Sequence, residues 1–462
     1  MEDNDLTTTI FFYLKKISLI LFIANFNHAI MRKNISQSNR RQFLKNGLQA
    51  SIAFTIIPRF VLGGKGYTAP SDQISLGFIG TGKQARGLAE SFADKTKIIA
   101  GAEVDSQKLA LFKTVVETNY AKLQKQATYK AITEYADFRE MLLRKDIDAI
   151  IVVTPDHWHA VASIMAANAG KHVYCEKPLG HSVEEGRAMV TAMNKNKVIL
   201  QTGSMQRSWV NFRHACELVR NGYVGDIKEV LVNVGTAAIP DYLLQEPIPQ
   251  NLNWEMWVGP APFKPFNSEL SPPVEKDIFP NWRNYKEYGG GILSDWGAHM
   301  FDIAQWGLGM DRSGPIKLFP PDGKEHKYLT MIYENGVVMK HQDFGRGFGV
   351  RFIGTKGKLD ISRDFIDSDP ANIATAEIKP NEIHLYKSDD HYQDWLDAIK
   401  NNKQPICNAE TGHRTSSVCA IANIAYWLNR PLQWNPVTEK FANDAEANSF
   451  VKANIHGGWK LV

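Results

Sequence analysis

Cysteine is scarce in this sequence. The four present, Cys175, Cys216, Cys407 and Cys419, lie far apart, with no C-x-x-C pair and no histidine at zinc-ligand spacing. No metal site is expected, and nothing before position 175 offers a thiol for a lipid anchor. Long apolar runs are also missing: residues 10–24 are broken by Lys15 and Lys16, and Gly47 to Ile57 is too short for the roughly 20 residues a bilayer needs. A stable membrane span is therefore not expected. Nor is there a strong excess of one charge. The net +4 comes from residues 1–69, where nine Lys/Arg face three Asp/Glu, so the rest of the chain stands at −2. Such a body has no electrostatic footprint for nucleic acid. Internal repeats and low-complexity tracts, which would signal a solenoid or a disordered chain, are absent.

What is present is ordinary globular material, 44% apolar and 22% charged, and 462 residues are enough for two or three domains. Residues 1–69 read as a leader. Asn39-Arg40-Arg41-Gln42-Phe43-Leu44-Lys45, followed by the mildly apolar stretch closed by Pro58, looks like a twin-arginine export signal over about 31–65. Met31 opens a cleaner leader, so residues 1–30 are read as an upstream mis-start. The expected localisation is periplasmic.

From Ile74 to Ile79 a short apolar run ends at Gly80-Thr81-Gly82-Lys83-Gln84-Ala85, a strand, tight turn and helix start. Gly80 permits the bend, Gly82 lets a pyrophosphate approach, and the helix N-terminus supplies N–H groups and partial positive charge. Glu103 ends the next apolar run about 20 residues on, where a carboxylate would accept both ribose hydroxyls and repel a 2′-phosphate. NAD is therefore expected, with NADP left open; Asp105 is the competing carboxylate. Apolar strands at Asp148 to Thr154, Lys171 to Cys175 and Lys197 to Thr202 alternate with helical stretches such as His159 to Ala169, the pattern of a parallel sheet with crossover helices through 70–202. Beyond 203 the texture changes. Residues 237–291 are loop-rich, Glu334-Asn335-Gly336 predicts a type I′ hairpin, and antiparallel strands dominate before helices return at Tyr392–Asn401 and Thr411–Leu428.

Tyr174-Cys175-Glu176-Lys177-Pro178-Leu179, Thr154-Pro155-Asp156-His157-Trp158-His159 and Gly289-Gly290-Gly291-Ile292-Leu293-Ser294-Asp295-Trp296-Gly297-Ala298-His299 resemble the glucose-fructose oxidoreductase/inositol dehydrogenase (Gfo/Idh/MocA) family over nearly everything after the leader. The resemblance implies an α/β fold: an N-terminal Rossmann dinucleotide-binding domain, then a C-terminal α/β domain (203–462) with a large open, mostly antiparallel sheet. A large open sheet with one face uncovered usually needs a partner, so a homodimer or homotetramer is expected. It implies that Lys177 is the catalytic lysine, Asp295 the substrate-site carboxylate and His299 the group that moves the alcohol proton. Asp295 and His299 are four residues apart, so on a helix they share a face. Gly80, Gly82, Lys83, Gln84, Glu103, Thr154, Pro155, His159 and Glu176 are the expected cofactor contacts. Arg207, Trp254, Arg283 and Tyr285 are candidate substrate contacts, although Trp254 and Trp257 could equally be core.

The function this implies is an NAD(P)-dependent oxidoreductase acting on a hydroxyl of a sugar or sugar derivative, its cofactor tightly held. If the chain is exported, a cofactor retained on the protein would have to be recycled by a second sugar. The alternative is an NAD-dependent glycoside hydrolase that oxidises the ring transiently and eliminates the glycosidic bond; a non-enzymatic sugar sensor is a third reading. Lys177 favours the dehydrogenase.

Overall fold

The computed structural model describes residues 73–462 apart from 127 and 131. The leader readings, the mis-start and the twin-arginine motif, lie outside the described residues. The first part of the described chain builds a six-stranded sheet from β1 (Ser75–Ile79), β2 (Lys97–Ala102), β3 (Thr133–Tyr135), β4 (Ala149–Val152), β5 (His172–Cys175) and β6 (Leu200–Thr202). Every pairing is parallel and the order is β3-β2-β1-β4-β5-β6. That order places a switch point between β1 and β4, where open α/β sheets leave a crevice at the strands' carboxyl ends.

Five helices cross over between these strands: α1 (Lys83–Phe92), α2 (Ser106–Leu123), α3 (Phe138–Leu142), α4 (Asp156–Asn168) and α5 (Val183–Asn196). The strand period sorts the core into two layers. Ile150 and Val152 face Ile164 and Met189 of α4 and α5, while Ile151 joins Leu88 and Phe92 of α1 on the other side. Burial on both faces is why β4 reads as an unbroken apolar run. α4 begins at Asp156 rather than at His159, because Pro155 occupies the position before the first turn, where its missing N–H costs nothing.

The second sheet has nine strands: β7 (Ile227–Asn233), β8 (Lys317–Phe319), β9 (Leu329–Ile332), β10 (Val338–His341), β11 (Gly349–Gly354), β12 (Gly357–Ile361), β13 (Ile366–Asp369), β14 (Leu432–Asn435) and β15 (Lys440–Phe441). Their order is β13-β12-β11-β7-β10-β9-β8-β14-β15, antiparallel except where β10 runs beside β7. The β9–β10 hairpin is not type I′. Only Gly336 takes positive φ (83°), and Tyr333 N donates to Val337 O, so the loop holds three residues with glycine in the left-handed position.

Its helices are α6 (Val210–Arg220), α7 (Trp254–Val258), α8 (Gly291–Leu308), α9 (His391–Asn401), α10 (Ala409–Leu428) and α11 (Ala445–Val451). Side chains of α6, α8 and α10 share one core with the second sheet. α9 instead returns to the first sheet, where Trp395 packs edge-on against Phe92 and Tyr174. Among the described residues no helix is long and apolar enough to cross a membrane.

Candidate active site

A cavity of about 540 Å³ opens at the carboxyl ends of β1, β2, β4 and β5. Its floor is the first turn. Gly80 has φ of 85°, and a Cβ there would lie 2.8 Å from Val153 O, so only glycine fits. At Gly82 a Cβ would meet nothing within 4 Å, because that side of the turn faces the open cavity. Gly82 also begins α1 without any side-chain cap, whereas Asp105 caps α2 and Ser182 caps α5. An uncapped helix start facing an open cradle fits a dinucleotide's phosphates.

The two carboxylates at the end of β2 are separated by their partners. Asp105 accepts from Gln107 N, Lys108 N and Asn251 Nδ2, and is committed to capping. Glu103 lines the cavity and is held there by Thr81 N at 2.8 Å and Val104 N at 2.9 Å. Lys83, Gln84, Thr154, Pro155, His159 and Glu176 line the same cavity. His159 lies between Pro178 O (2.8 Å) and Thr154 O (3.0 Å), tying together the loops that follow β4 and β5. Burial pushes its pKa down to about 4 against the pull of those two carbonyls. Glu176 receives Gln84 Nε2 at 3.1 Å, and burial raises its carboxyl despite the nearby Lys177.

At the inner end, α8 and the loop after β5 meet. Lys177 Nζ donates to Asp295 Oδ1 at 2.5 Å and to Asp295 O at 3.1 Å, and Arg283 Nε reaches the same Oδ1 at 3.3 Å. Burial would raise the Asp295 carboxyl, but the Lys177 and Arg283 charges outweigh it and hold it at about 2. His299, one turn along α8, is 4% exposed, and its buried Nδ1 has no hydrogen-bond partner among the described residues. Burial and the Lys177 charge push its pKa well below the ordinary value, so the ring is neutral with a lone pair to offer. The cavity therefore combines a fixed ammonium, an ionised carboxylate and an unprotonated imidazole.

Three sequence expectations are corrected. Arg207 is not at the cavity: it is 2% exposed and forks onto Asp302 (2.7 and 2.8 Å) and Asp311 (2.8 Å). Trp254 is core, stacked on Trp257 at 4.6 Å with its indole N–H on Lys264 O; Trp257 does line the cavity. Tyr285 points its hydroxyl at Glu269 (3.0 Å) and lies outside the lining. Arg283 does line it. His157 is buried on Trp257 O, which binds α4 to α7.

Sequence reasoning passed over Asp156. It lines the cavity, is 3% exposed, and burial together with the Asp295 charge pushes its carboxyl well above the carboxylate range. An acidic residue in a helix's first turn reads as routine dipole compensation, which hid it. Equally hidden was the segment Ser271–Pro280, whose Asp277 pairs with Lys83 (3.1 Å) and with Arg86 and so lies across the mouth beside α1. Among the described residues no cluster of three or more His, Cys, Asp or Glu could hold a metal.

Two family models match the chain: an oxidoreductase-family NAD-binding Rossmann fold over residues 74–204, and an oxidoreductase-family C-terminal alpha/beta domain over residues 234–461. The chain belongs to the Gfo/Idh/MocA oxidoreductase family. Among its relatives, a 1,5-anhydro-D-fructose reductase of Ensifer adhaerens is 24% identical over 66% of this chain and 84% of the relative. A glycosyl hydrolase family 109 protein of Shewanella pealeana is 29% identical over 41% of this chain and 44% of its own. The crystal structure of an aldose-aldose oxidoreductase from Caulobacter crescentus complexed with glycerol shares the fold at TM-score 0.54 and 20% identity, over 78% of this chain and 99% of that one. This member of the Gfo/Idh/MocA family is therefore an oxidoreductase with a dinucleotide-type crevice, and the cavity just described lies in it.

Proposed function

We propose that the protein moves a hydride between a sugar hydroxyl carbon and a nicotinamide cofactor, with Lys177, Asp295 and His299 as its chemical groups. The observation that carries this reading is their convergence, with Arg283, in the same cavity as the Gly80–Gly82 turn and Glu103. A nicotinamide dinucleotide, when bound, supplies the site that accepts or returns the hydride. The residues present fit such a group: Gly82 and the start of α1 would take the phosphates, and Glu103 the ribose hydroxyls. NAD is preferred on the Glu103 carboxylate, which repels a 2′-phosphate.

His299, held neutral and lining the cavity, accepts the hydroxyl proton. The Lys177 ammonium lies where it stabilises developing negative charge on the sugar oxygen. Asp295 holds Lys177 in place and keeps the local charge balanced. The sugar assignment draws support from the relative that reduces 1,5-anhydro-D-fructose and from the sugar-handling fold neighbour. We further propose that the protein is exported by the twin-arginine route with its cofactor held, a reading supported by the Arg40-Arg41 motif in the sequence.

The family 109 relative supports a second reading, in which ring oxidation starts the breakage of a glycosidic bond. One assay separates the two. Free sugars and nitrophenyl glycosides are each incubated with the protein, while nicotinamide absorbance near 340 nm and nitrophenol release are followed. Cofactor reduction by free sugars upholds the oxidoreductase; nitrophenol release without net reduction establishes the hydrolase; neither signal overturns both.

A further inference from the structure

The far rim of the cavity carries a cation that the reaction does not use. Arg363 sits in the turn between β12 and β13, where Ser362 N bonds to Phe365 O and Asp364 N to Ser362 Oγ, so the sheet fixes its backbone. Its side chain lines the cavity beside Trp296 and His299. The guanidinium stacks on Trp296, 4.5 Å from the ring centroid, and faces Trp209 at 5.6 Å. No ion pair holds it among the described residues, and Asp295 and Asp364 attract it only from beyond ion-pair reach. The other two cations at this end, Lys177 and Arg283, are both engaged by Asp295.

Arg363 is exposed at the rim, and stacking on an indole leaves its planar fork of donors available while reducing its side-chain freedom. One fork matches one carboxylate in a bidentate pair; a phosphate dianion is ordinarily gripped by several donors or by a helix start, and none accompanies Arg363 in its turn. The remaining charges point the same way. Lys177, Arg283 and Arg363 face Asp295, Glu176 and Asp156, and burial with the Asp295 charge drives Asp156 well above the carboxylate range, so three cations face two charged carboxylates. The inner cavity is thus net positive and suits an anion.

We propose that Arg363 is a specificity-determining residue that binds the carboxylate of an acidic sugar, so that the substrate is a uronic- or aldonic-acid-type molecule whose reacting hydroxyl lies at His299 and Lys177. This rests on the oxidoreductase reading above and narrows its substrate class.

The test compares matched pairs, D-glucuronate with D-glucose, D-galacturonate with D-galactose and D-mannuronate with D-mannose, on the full chain with its cofactor at pH 7 and low salt. Binding is read from tryptophan fluorescence and turnover from nicotinamide absorbance. In at least one pair the acid is expected to bind about ten- to a hundredfold tighter, the size of a charge-assisted pair. R363M should collapse the acid-to-neutral ratio toward one, R363K should keep only part of it because lysine retains the charge but not the stacked fork, and the change should appear in KM more than in kcat. Neutral sugars binding as well as acids in every pair, no acid binding at all, or a ratio untouched by R363M overturns the proposal, as does a preference confined to phosphorylated sugars. Because binding is read apart from turnover, tight acid binding with no redox signal refutes the oxidoreductase reading alone, whereas turnover of neutral sugars only refutes the present inference alone.

Discussion

Lys177 spends its ammonium on two oxygens of a single residue, which ties the loop after β5 to α8 inside the cavity. Replacing it with methionine keeps the length and removes the charge. The expected loss in kcat is about 10²- to 10³-fold, the usual worth of one charged stabiliser, measured by nicotinamide absorbance on protein checked for cofactor content. His299 makes a pH prediction. Its folded pKa lies well below 6.5 because burial disfavours the imidazolium, so the base stays neutral through physiological pH and is lost only as pH falls through that depressed value. The kcat/KM profile should therefore be flat from about pH 6.5 upward, and its acid limb should fall well below 6.5. A limb at or above 6.5 would contradict the role. The sequence singled out these two residues through the family resemblance, whose motifs contain them: Lys177 in Glu176-Lys177-Pro178, and His299 one helical turn beyond Asp295. Asp156 and Arg363 were not, since Asp156 meets Asp295 of a distant helix and Arg363 meets the aromatic faces of Trp296 and Trp209, and no local pattern encodes such meetings.

At the level of elements, the site depends on how α8 enters the molecule. Gly291 opens the helix at φ of 74°, and a Cβ would come within 2.5 Å of Ala238 N and 2.6 Å of Thr236 O. Gly291→Ala combines a left-handed residue with backbone overlap, so about 2 kcal/mol or more of stability should disappear from urea unfolding, and activity should drop with it because α8 carries both Asp295 and His299. The segment Ser271–Pro280 offers a gentler test. Asp277 fastens it to Lys83 and Arg86, and since exposed pairs are weak fastenings, Asp277→Ala should leave the fold intact yet release bound nicotinamide several-fold faster on gel filtration. The parallel strands were legible because each is buried on two faces. The loop-rich stretch 237–291 was not, because its order comes from contacts to other elements, as where Asn253 N bonds to Val104 O.

Across the whole molecule, distant segments meet through buried charge as well as through apolar layers. Arg207, just after the first sheet, binds Asp302 of α8 and Asp311 beyond it, while Thr415 of α10 donates to Asp302 at 2.7 Å. The sequence offered Arg207 as a candidate sugar contact; only the tertiary pairing shows that it is consumed. Arg207→Ala leaves Asp302, 1% exposed, without its cation. Stranding a buried charge costs about 3–5 kcal/mol, so calorimetry should show the melting temperature falling by about 5 °C. The double variant Arg207→Met with Asp302→Leu should recover much of that loss, because an apolar pair of similar volume removes the stranded charge. A sugar contact would behave in the opposite way: KM would rise with the melting temperature intact, and the double variant would restore nothing. The two variants together therefore decide whether Arg207 joins the halves of the molecule or serves its substrate.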